Sequence, residues 1–385
     1  MYTILTPGQI KVGLGCLASL KDIVAAYEKD KIFLVTDEGI RHSGVLKKVL
    51  EAADLDTERI DIFDQVKPNP DIATMEFCGQ MAVSNDCKLI IGLGGGSPMD
   101  VAKASAILPP NGGKMRPLLG RGLVKNKGLP LCLIPTTSGT GSEVSQAIVV
   151  NDTEGQTKSG IWDPNVVPHY TIVDPVLTLG MPRQLTIDTG LDALVHGIEA
   201  YTARTTNRMA RLYAHECIAL VVEHLPKAVR DGRDLEARSG MSLAATLGGL
   251  AFSNGGLGAA HALNLPLDTK KHIPHGRSVA LMAPAVMDFN RVGHEIAYAH
   301  IAKLLGENVD ERDPASASQR AVSGMKRFME TLGVSPYLKD HGVQFAEIES
   351  LAKEAFVVGQ RLLLYNPRDI NENDVIGIYR ATAAQ

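Results

Sequence analysis

The sequence has no marked excess of either charge, no long apolar run and no paired cysteines, and each lack removes a class of function. Thirty-nine basic residues stand against 43 acidic ones, a net charge of -4, so nothing points to nucleic acid or an anionic membrane as partner. No uninterrupted apolar run approaches a membrane span. The opening MYTILTPGQIKVG lacks the basic-then-apolar order of a secretory signal. The five cysteines (Cys16, Cys78, Cys87, Cys132 and Cys217) are odd in number, scattered and never in a CxxC pair. They read as free core thiols in a reducing cytoplasm rather than a disulfide frame or zinc ribbon. Internal repeats and low-complexity tracts are also missing. What is there is a 385-residue chain, 45% hydrophobic and 21% charged, with ordinary globular composition and two-domain length.

The first half alternates strand-like and helix-like segments. Lys31–Val35, Lys88–Leu93, Pro130–Ile134 and Thr171–Val173 are short apolar runs, each ending in polar, glycine or proline residues. Such runs, with helical stretches between them, predict a mostly parallel sheet covered on both faces. After Met181-Pro182 helical periodicity dominates, over Asp188–Tyr201, Asn207–His224, Asp234–Leu250, His294–Leu305, Arg320–Leu332, Phe345–Val358 and Glu372–Ala383. Gly232, Gly255-Gly256, Pro266, Pro274, Gly333, Pro336 and Pro367 punctuate this half. The expected division is an α/β domain over 1–180 and an all-helical domain over 181–385.

Ligands of parallel sheets bind beyond the carboxyl ends of the strands, and three polar segments fall there. Gly94, Gly95, Gly96 and Ser97, followed by Pro98 and Asp100, close a strand and open a helix. Glycines admit a phosphate close to the backbone, and the exposed amides of a helix start favour an anion. The segment is not a GxGxxG fingerprint, and a ligand-free tight turn explains it equally well. Thr136, Thr137, Ser138, Thr140 and Ser142, turned by Gly139 and Gly141, form a hydroxyl-rich loop after the next strand and before an expected helix. One helix cap uses one hydroxyl, so the surplus favours a phosphate-and-ribose cradle. Asp37 ends the Lys31–Val35 strand, where a carboxylate can hold ribose hydroxyls and repel a 2'-phosphate, favouring NAD over NADP. It can also cap the following helix.

Asp192 and His196 lie at i and i+4, on one helix face. His196 stands among Leu191, Leu194, Val195 and Ile198, and His261 within the small-residue stretch Gly255–Leu265. Titratable groups in apolar surroundings need partners. With His275, which lies 14 residues beyond His261, they offer three imidazoles and one carboxylate. That set suits Fe(II) or Zn(II) and leaves a position open for a substrate oxygen. DxxxH alone is common by chance; the neighbourhoods set this group apart. His272 is a further candidate contact.

Together these segments resemble the iron-containing (group III) alcohol dehydrogenases. The resemblance is carried by GGGSPMD at Gly94–Asp100, PTTSGTGSEV at Pro135–Val144, DTGLDALVHGIEAY at Asp188–Tyr201, the spacing of Ala251–Leu263, HIPHG at His272–Gly276 and NPRDINENDVIGIYR at Asn366–Arg380. It covers nearly the whole chain. It implies a dehydroquinate synthase-like architecture with the active site in a cleft between the two domains, and a metal on Asp192, His196, His261 and His275. It adds Asn69, Lys158 and Leu177 to Met181 to the cofactor contacts, and implies a homodimer or larger homo-oligomer. Two departures stand out. Relatives often carry a histidine at the position of Leu265, linked to proton transfer or nicotinamide contact. Arg277 occupies a commonly apolar position and, with Lys270 and Lys271, raises the hypothesis of an anionic aldehyde substrate.

The function expected is hydride transfer between a small primary alcohol or aldehyde and nicotinamide, with the metal as Lewis acid. The alternative is an NAD- and metal-dependent lyase resembling dehydroquinate synthase, which would regenerate its cofactor within one turnover. Net NADH release separates the two.

Overall fold

A computed structural model describes residues 2–54, 57–154, 157–310 and 312–383. The chain separates into two compact units, one spanning Leu5–Met181 and the other joining residues 2–4 to the stretch from Pro182 onward.

Among its described residues the first unit holds nine strands: β1 (Gln9–Val12), β2 (Lys31–Val35), β3 (Ile60–Phe63), β4 (Cys87–Gly94), β5 (Gly120–Arg121), β6 (Leu131–Pro135), β7 (Ala147–Asp152), β8 (Thr157–Trp162) and β9 (Tyr170–Val173). Its five α-helices are α1 (Leu20–Ala25), α2 (Glu38–His42), α3 (Val45–Ala53), α4 (Ile72–Ser84) and α5 (Gly96–Ile107). Six strands pair in the order β1-β9-β6-β4-β2-β3, all in parallel. Successive side chains of a strand point to opposite faces, and both faces are covered here. Ile32 and Leu34 of β2 join Leu89, Ile91 and Leu93 of β4 in one core with α1 and α3. Phe33, Val35 and Ile90 join the other core with α4 and α5.

This two-sided burial makes the strands nearly continuous apolar runs, which is why they were legible. It also locates the point where the connections reverse. The chain leaves β2 toward the α3 face and leaves the neighbouring β4 toward the α5 face. Loops that part in this way open a crevice at the strand ends, and Asp37 and the Gly94–Ser97 turn stand there.

A second, mixed sheet was not foreseen. β5 runs parallel to β8, and β7 runs antiparallel to it. The hydroxyl loop leads into it: after Thr140 comes a short 3-10 turn at Ser142–Val144 and then β7, not the expected helix.

The second unit is helical: α6 (Arg183–Thr202), α7 (Arg208–Arg230), α8 (Leu235–Gly255), α9 (Ala259–Leu263), α10 (Leu265–Lys271), α11 (His275–Arg291), α12 (Glu295–Leu304), α13 (Pro314–Thr331), α14 (Ile348–Val358), α15 (Gln360–Leu363) and α16 (Glu372–Ala383). α6 is buried along most of its length and packs against α7, α8 and α11. Sequence periodicity found seven of these helices and missed α9, α10, α15 and the long α11, at whose start Pro274 read as an interruption. Pro274 instead precedes the first helical residue, and the helix continues through Pro284.

All five cysteines are free; four are buried and Cys16 is half-buried. Burial pushes the Cys132 and Cys217 thiols up to about 12, so both stay protonated at neutral pH. Among the described residues no helix is long and apolar enough to cross a membrane.

Candidate metal centre and nucleotide cradle

α6 supplies Asp192 and, one turn later, His196; α9 supplies His261; His275 is the first residue of α11. The four converge around Asp192 Oδ1. His261 Nε2 lies 3.4 Å from it, and the Nε2 atoms of His196 and His275 each lie 3.8 Å away. Ligand atoms of Asp192, His261 and His275 are all within 4.8 Å of one another. The His196 and His261 rings stack at 4.7 Å. Asp192, His196 and His261 are buried, whereas the His275 side chain is 42% exposed, leaving that side of the group open.

The donor set fits a cation. Asp192 Oδ1 and His261 Nε2 are buried, and neither has a hydrogen-bond partner among the described residues. Such orphans are costly unless something else satisfies them. Four ligands at roughly 2.1 Å around one ion would stand about 3.4 Å apart at tetrahedral angles. The observed 3.4–3.8 Å matches that spacing and exceeds a good hydrogen bond.

The four groups also shift one another's protonation. Burial alone would raise the Asp192 pKa, but the imidazoles of His196, His275 and His261 hold it well below its ordinary range. Burial brings His196 down to about 4, against the opposing pull of Asp192. His196 is therefore neutral, as a ligand must be. Burial also opposes charge on His261, yet the Asp192 and Glu199 carboxylates raise it to about 9.

Glu199 was missed by sequence reasoning. Its Oε2 accepts from His261 Nδ1 at 2.7 Å. A signal was present: Asp192, His196 and Glu199 fall at i, i+4 and i+7, one stripe of one helix. Asn264 and Asp268 were missed as well. His275 Nδ1 lies 3.0 Å from Asn264 Nδ2 and 3.4 Å from Asp268 Oδ2. His272 is an exposed, left-handed C-cap of α10, and Leu265 is the half-buried first residue of that helix.

The three cations considered for an anionic substrate are all paired within the unit. Arg277 donates to Asp188 Oδ1 from Nε at 2.8 Å, with Nη2 at 2.7 Å from the same oxygen. Lys271 binds Glu347 at 2.8 Å, and Lys270 binds Glu354. A guanidinium held by a buried carboxylate is a packing element.

In the sheet unit, Asp37, Gly94, Gly95, Gly96, Ser97 and the Thr136–Thr140 loop are brought to the ends of three adjacent strands. Asp37 fills the capping role considered for it and leaves its second oxygen turned to the glycine loop. Its Oδ1 accepts from Ile40 N at 2.9 Å and caps α2, while Oδ2 faces the glycine turn, 3.4 Å from where a Cβ on Gly94 would sit. Gly94 has φ +145, and a Cβ there would meet the Pro98 ring at 2.8 Å, so glycine is required. Thr136 N donates to Gly94 O at 2.9 Å and ties the two loops together. α5 begins beyond Gly95 with no side-chain cap, and the buried hydroxyl of Thr137 beside it has no partner among the described residues. An unfilled hydroxyl next to uncapped helix amides is the polar surface a phosphate needs.

The other expected contacts sit differently. The Asp100 carboxylate is turned inward, accepting from Ser142 Oγ at 2.6 Å and Val149 N at 2.8 Å. It anchors the hydroxyl loop. Ser138 is buried in that loop, and Leu177 lies in the core below β9. Asn69, exposed at φ +54 between β3 and α4, is next to Pro70, whose carbonyl accepts from Asn151 N at 2.9 Å. Asn151 is the register partner of Lys158, so Asn69 and Lys158 share one rim.

Two family descriptions match the chain: "Iron-containing alcohol dehydrogenase" over residues 7–175 and "Fe-containing alcohol dehydrogenase family, C-terminal" over residues 186–383. The choline dehydrogenase of Bacillus subtilis (strain 168) is 36% identical over 382 residues, covering 98% of this chain and 94% of that protein. The NAD-dependent methanol dehydrogenase of Bacillus methanolicus is 33% identical over 359 residues, covering 92% and 93%. The crystal structure of a 1,3-propanediol oxidoreductase superposes with a TM-score of 0.94 at 31% identity, over 99% of this chain and 100% of that one.

Proposed function

The chain belongs to the iron-containing alcohol dehydrogenase family, and from that premise we propose that it moves a hydride between NAD(H) and a small primary alcohol or aldehyde with the help of a divalent metal. Asp192, His196, His261 and His275 would hold the ion, Fe(II) in first place and Zn(II) in second. The observation that carries this reading is the orphaned Asp192 oxygen with three imidazole nitrogens at 3.4–3.8 Å.

When bound, such an ion supplies Lewis acidity that polarises a carbonyl or lowers the pKa of an alcohol. The chain's residues do the rest. The carboxylate and neutral imidazoles present a fixed set of lone pairs, and the exposed side at His275 is where a substrate oxygen would enter. The amides at the start of α5 and the Thr136, Thr137 and Thr140 hydroxyls would take the dinucleotide phosphates. The Asp37 carboxylate would take the adenosine ribose and select NAD. Asn69, Lys158 and Leu177 remain proposed contacts farther from the glycine turn. With Arg277, Lys270 and Lys271 paired internally, the proposed substrate is uncharged. The reading also includes a homodimer or larger homo-oligomer in the cytoplasm.

The test is a panel of alcohols and aldehydes followed by NADH absorbance, with Fe, Zn, Mn and Co each restored to chelated protein. Net, alcohol-dependent NADH formation that returns with Fe(II) or Zn(II) supports the reading. Turnover without net NADH change would move the chain to the lyase class.

A further inference from the structure

The helix that carries His261 cannot stand on its own. α9 is five residues long, far below the length at which a helix persists unaided. It starts from Gly258, which has no side chain to cap it, so its first amides need partners from elsewhere. Glu199 provides two of them: its Oε2 accepts from Gly258 N at 2.8 Å, and its Oε1 accepts from Ala260 N at 2.6 Å. Asn366 Oδ1 accepts from Ala259 N at 3.3 Å. The approach is close: a Cβ on Gly258 would lie 3.0 Å from Glu199 Oε1 and 3.3 Å from Asn366 Oδ1.

The same carboxylate fixes the ring beyond. Glu199 Oε2 is 2.7 Å from His261 Nδ1. A carboxylate only accepts, so Nδ1 carries a proton, and Nε2 is the nitrogen left to offer a lone pair to an ion. That atom is the one facing Asp192 at 3.4 Å. The two acids on α6 therefore differ in kind. Glu199 is saturated by three donors at 2.6–2.8 Å, whereas Asp192 Oδ1 has none. Neither of the other two imidazoles has a carboxylate hydrogen-bonded to Nδ1; that of His275 meets the Asn264 amide at 3.0 Å instead. His196 Nδ1 has no hydrogen-bond partner among the described residues, and the nearest carboxylate oxygen to His275 Nδ1 is 3.4 Å away.

We propose that Glu199 is the positioning residue of the metal centre: it caps α9 and orients His261 so that Nε2 alone is presented to the ion. The proposal rests on the metal reading above. Outer carboxylates on metal-bound histidines set tautomer and orientation, and their loss costs about 10- to 100-fold in metal affinity.

The experiment compares Co(II) binding by the full-length wild type, Glu199→Gln and Asn366→Ser, with the thermal midpoint of each metal-free protein measured in parallel. Glu199→Gln removes the charge but keeps the shape; Asn366→Ser removes part of the cap and leaves the carboxylate on His261. The expected result is a loss of about 10- to 100-fold in Co(II) affinity and an altered Co(II) absorption spectrum for Glu199→Gln. Asn366→Ser should lose thermal stability and keep the wild-type spectrum. A Glu199→Gln protein with unchanged affinity and spectrum overturns the proposal, as does an Asn366→Ser protein that loses metal equally. If Glu199→Gln does not fold, nitrogen-15 spectra of the zinc-loaded wild type decide: a protonated Nδ1 on His261 upholds the proposal and a bare Nδ1 refutes it. If the wild type takes up no ion at all, the metal reading itself falls.

Discussion

Gly276 lies so close to the backbone of Asp188 that a Cβ on it would stand 2.1 Å from that residue's carbonyl oxygen. The contact joins the first turn of α11 to α6, the two helices that carry His275 and Asp192. Gly276→Ala should force them apart, at a stability cost of about 1–3 kcal/mol for overpacking. It should weaken metal binding more than the fall in thermal midpoint alone explains. Thermal denaturation with and without Zn(II), paired with metal content, checks this. An unchanged zinc-induced stabilisation would count against it.

The same two helices are bridged by Arg277 and Asp188. Removing Arg277 strands a buried carboxylate, so Arg277→Met should cost about 3 kcal/mol near neutral pH. Burial already raises the Asp188 pKa, with Arg277 opposing the rise; without Arg277 the rise grows. A carboxyl whose folded pKa exceeds its unfolded value loses stability as pH climbs through that interval. The penalty of Arg277→Met should therefore be largest at neutral pH and shrink toward the ordinary carboxyl range. Denaturant unfolding at several pH values reads it. The relative rates on anionic and neutral aldehydes should not change.

His261 gives the metal-free protein its own pH dependence. Its pKa rises from 6.5 to about 9 on folding, where the Asp192 and Glu199 carboxylates outweigh burial. A group raised in this way contributes stability that is complete below its unfolded value and lost as pH climbs through the folded one. The chelated protein should therefore lose thermal stability between pH 6.5 and about 9. Zinc displaces the proton, so the loaded protein should be flatter across that window. Equal slopes for both forms would contradict this assignment.

Asp37 both caps α2 and faces the glycine turn, and one substitution separates the two roles. Asparagine caps helices as well as aspartate does but carries no charge. Asp37→Asn should keep stability while raising kcat/KM with NADP relative to NAD. A cofactor ratio equal to that of the wild type would reduce Asp37 to a cap.

What could be read in the sequence divides along physical lines. β2 was legible to the residue because burial on both faces makes it one apolar run between polar ends. The candidate ligands stood out because imidazole and carboxylate are rare among neighbours such as Leu191, Leu194 and Val195. α11 was hidden by Pro274, since proline marks a helix start as readily as a break. β7 and β8 are sequence neighbours that pair antiparallel, but both are partly exposed, so neither shows the fully buried apolar run that marked β2. Glu199 was passed over because its partners, Gly258, Ala260 and His261, lie about sixty residues away in sequence, although its i+7 spacing from Asp192 was visible. Asp100 stands in a glycine-rich motif that invited a ligand role, and only its contacts with Ser142 and Val149 N reveal an anchor.

The account turns on four side chains sharing one ion, and X-ray absorption at the zinc edge of the loaded protein tests this most directly. The predicted first shell has imidazole nitrogens and a carboxylate oxygen at about 2.0–2.2 Å, at one zinc per chain, and both Asp192→Ala and His261→Ala lose the ion. A shell without imidazole, or a full equivalent of zinc retained by those variants, would contradict it.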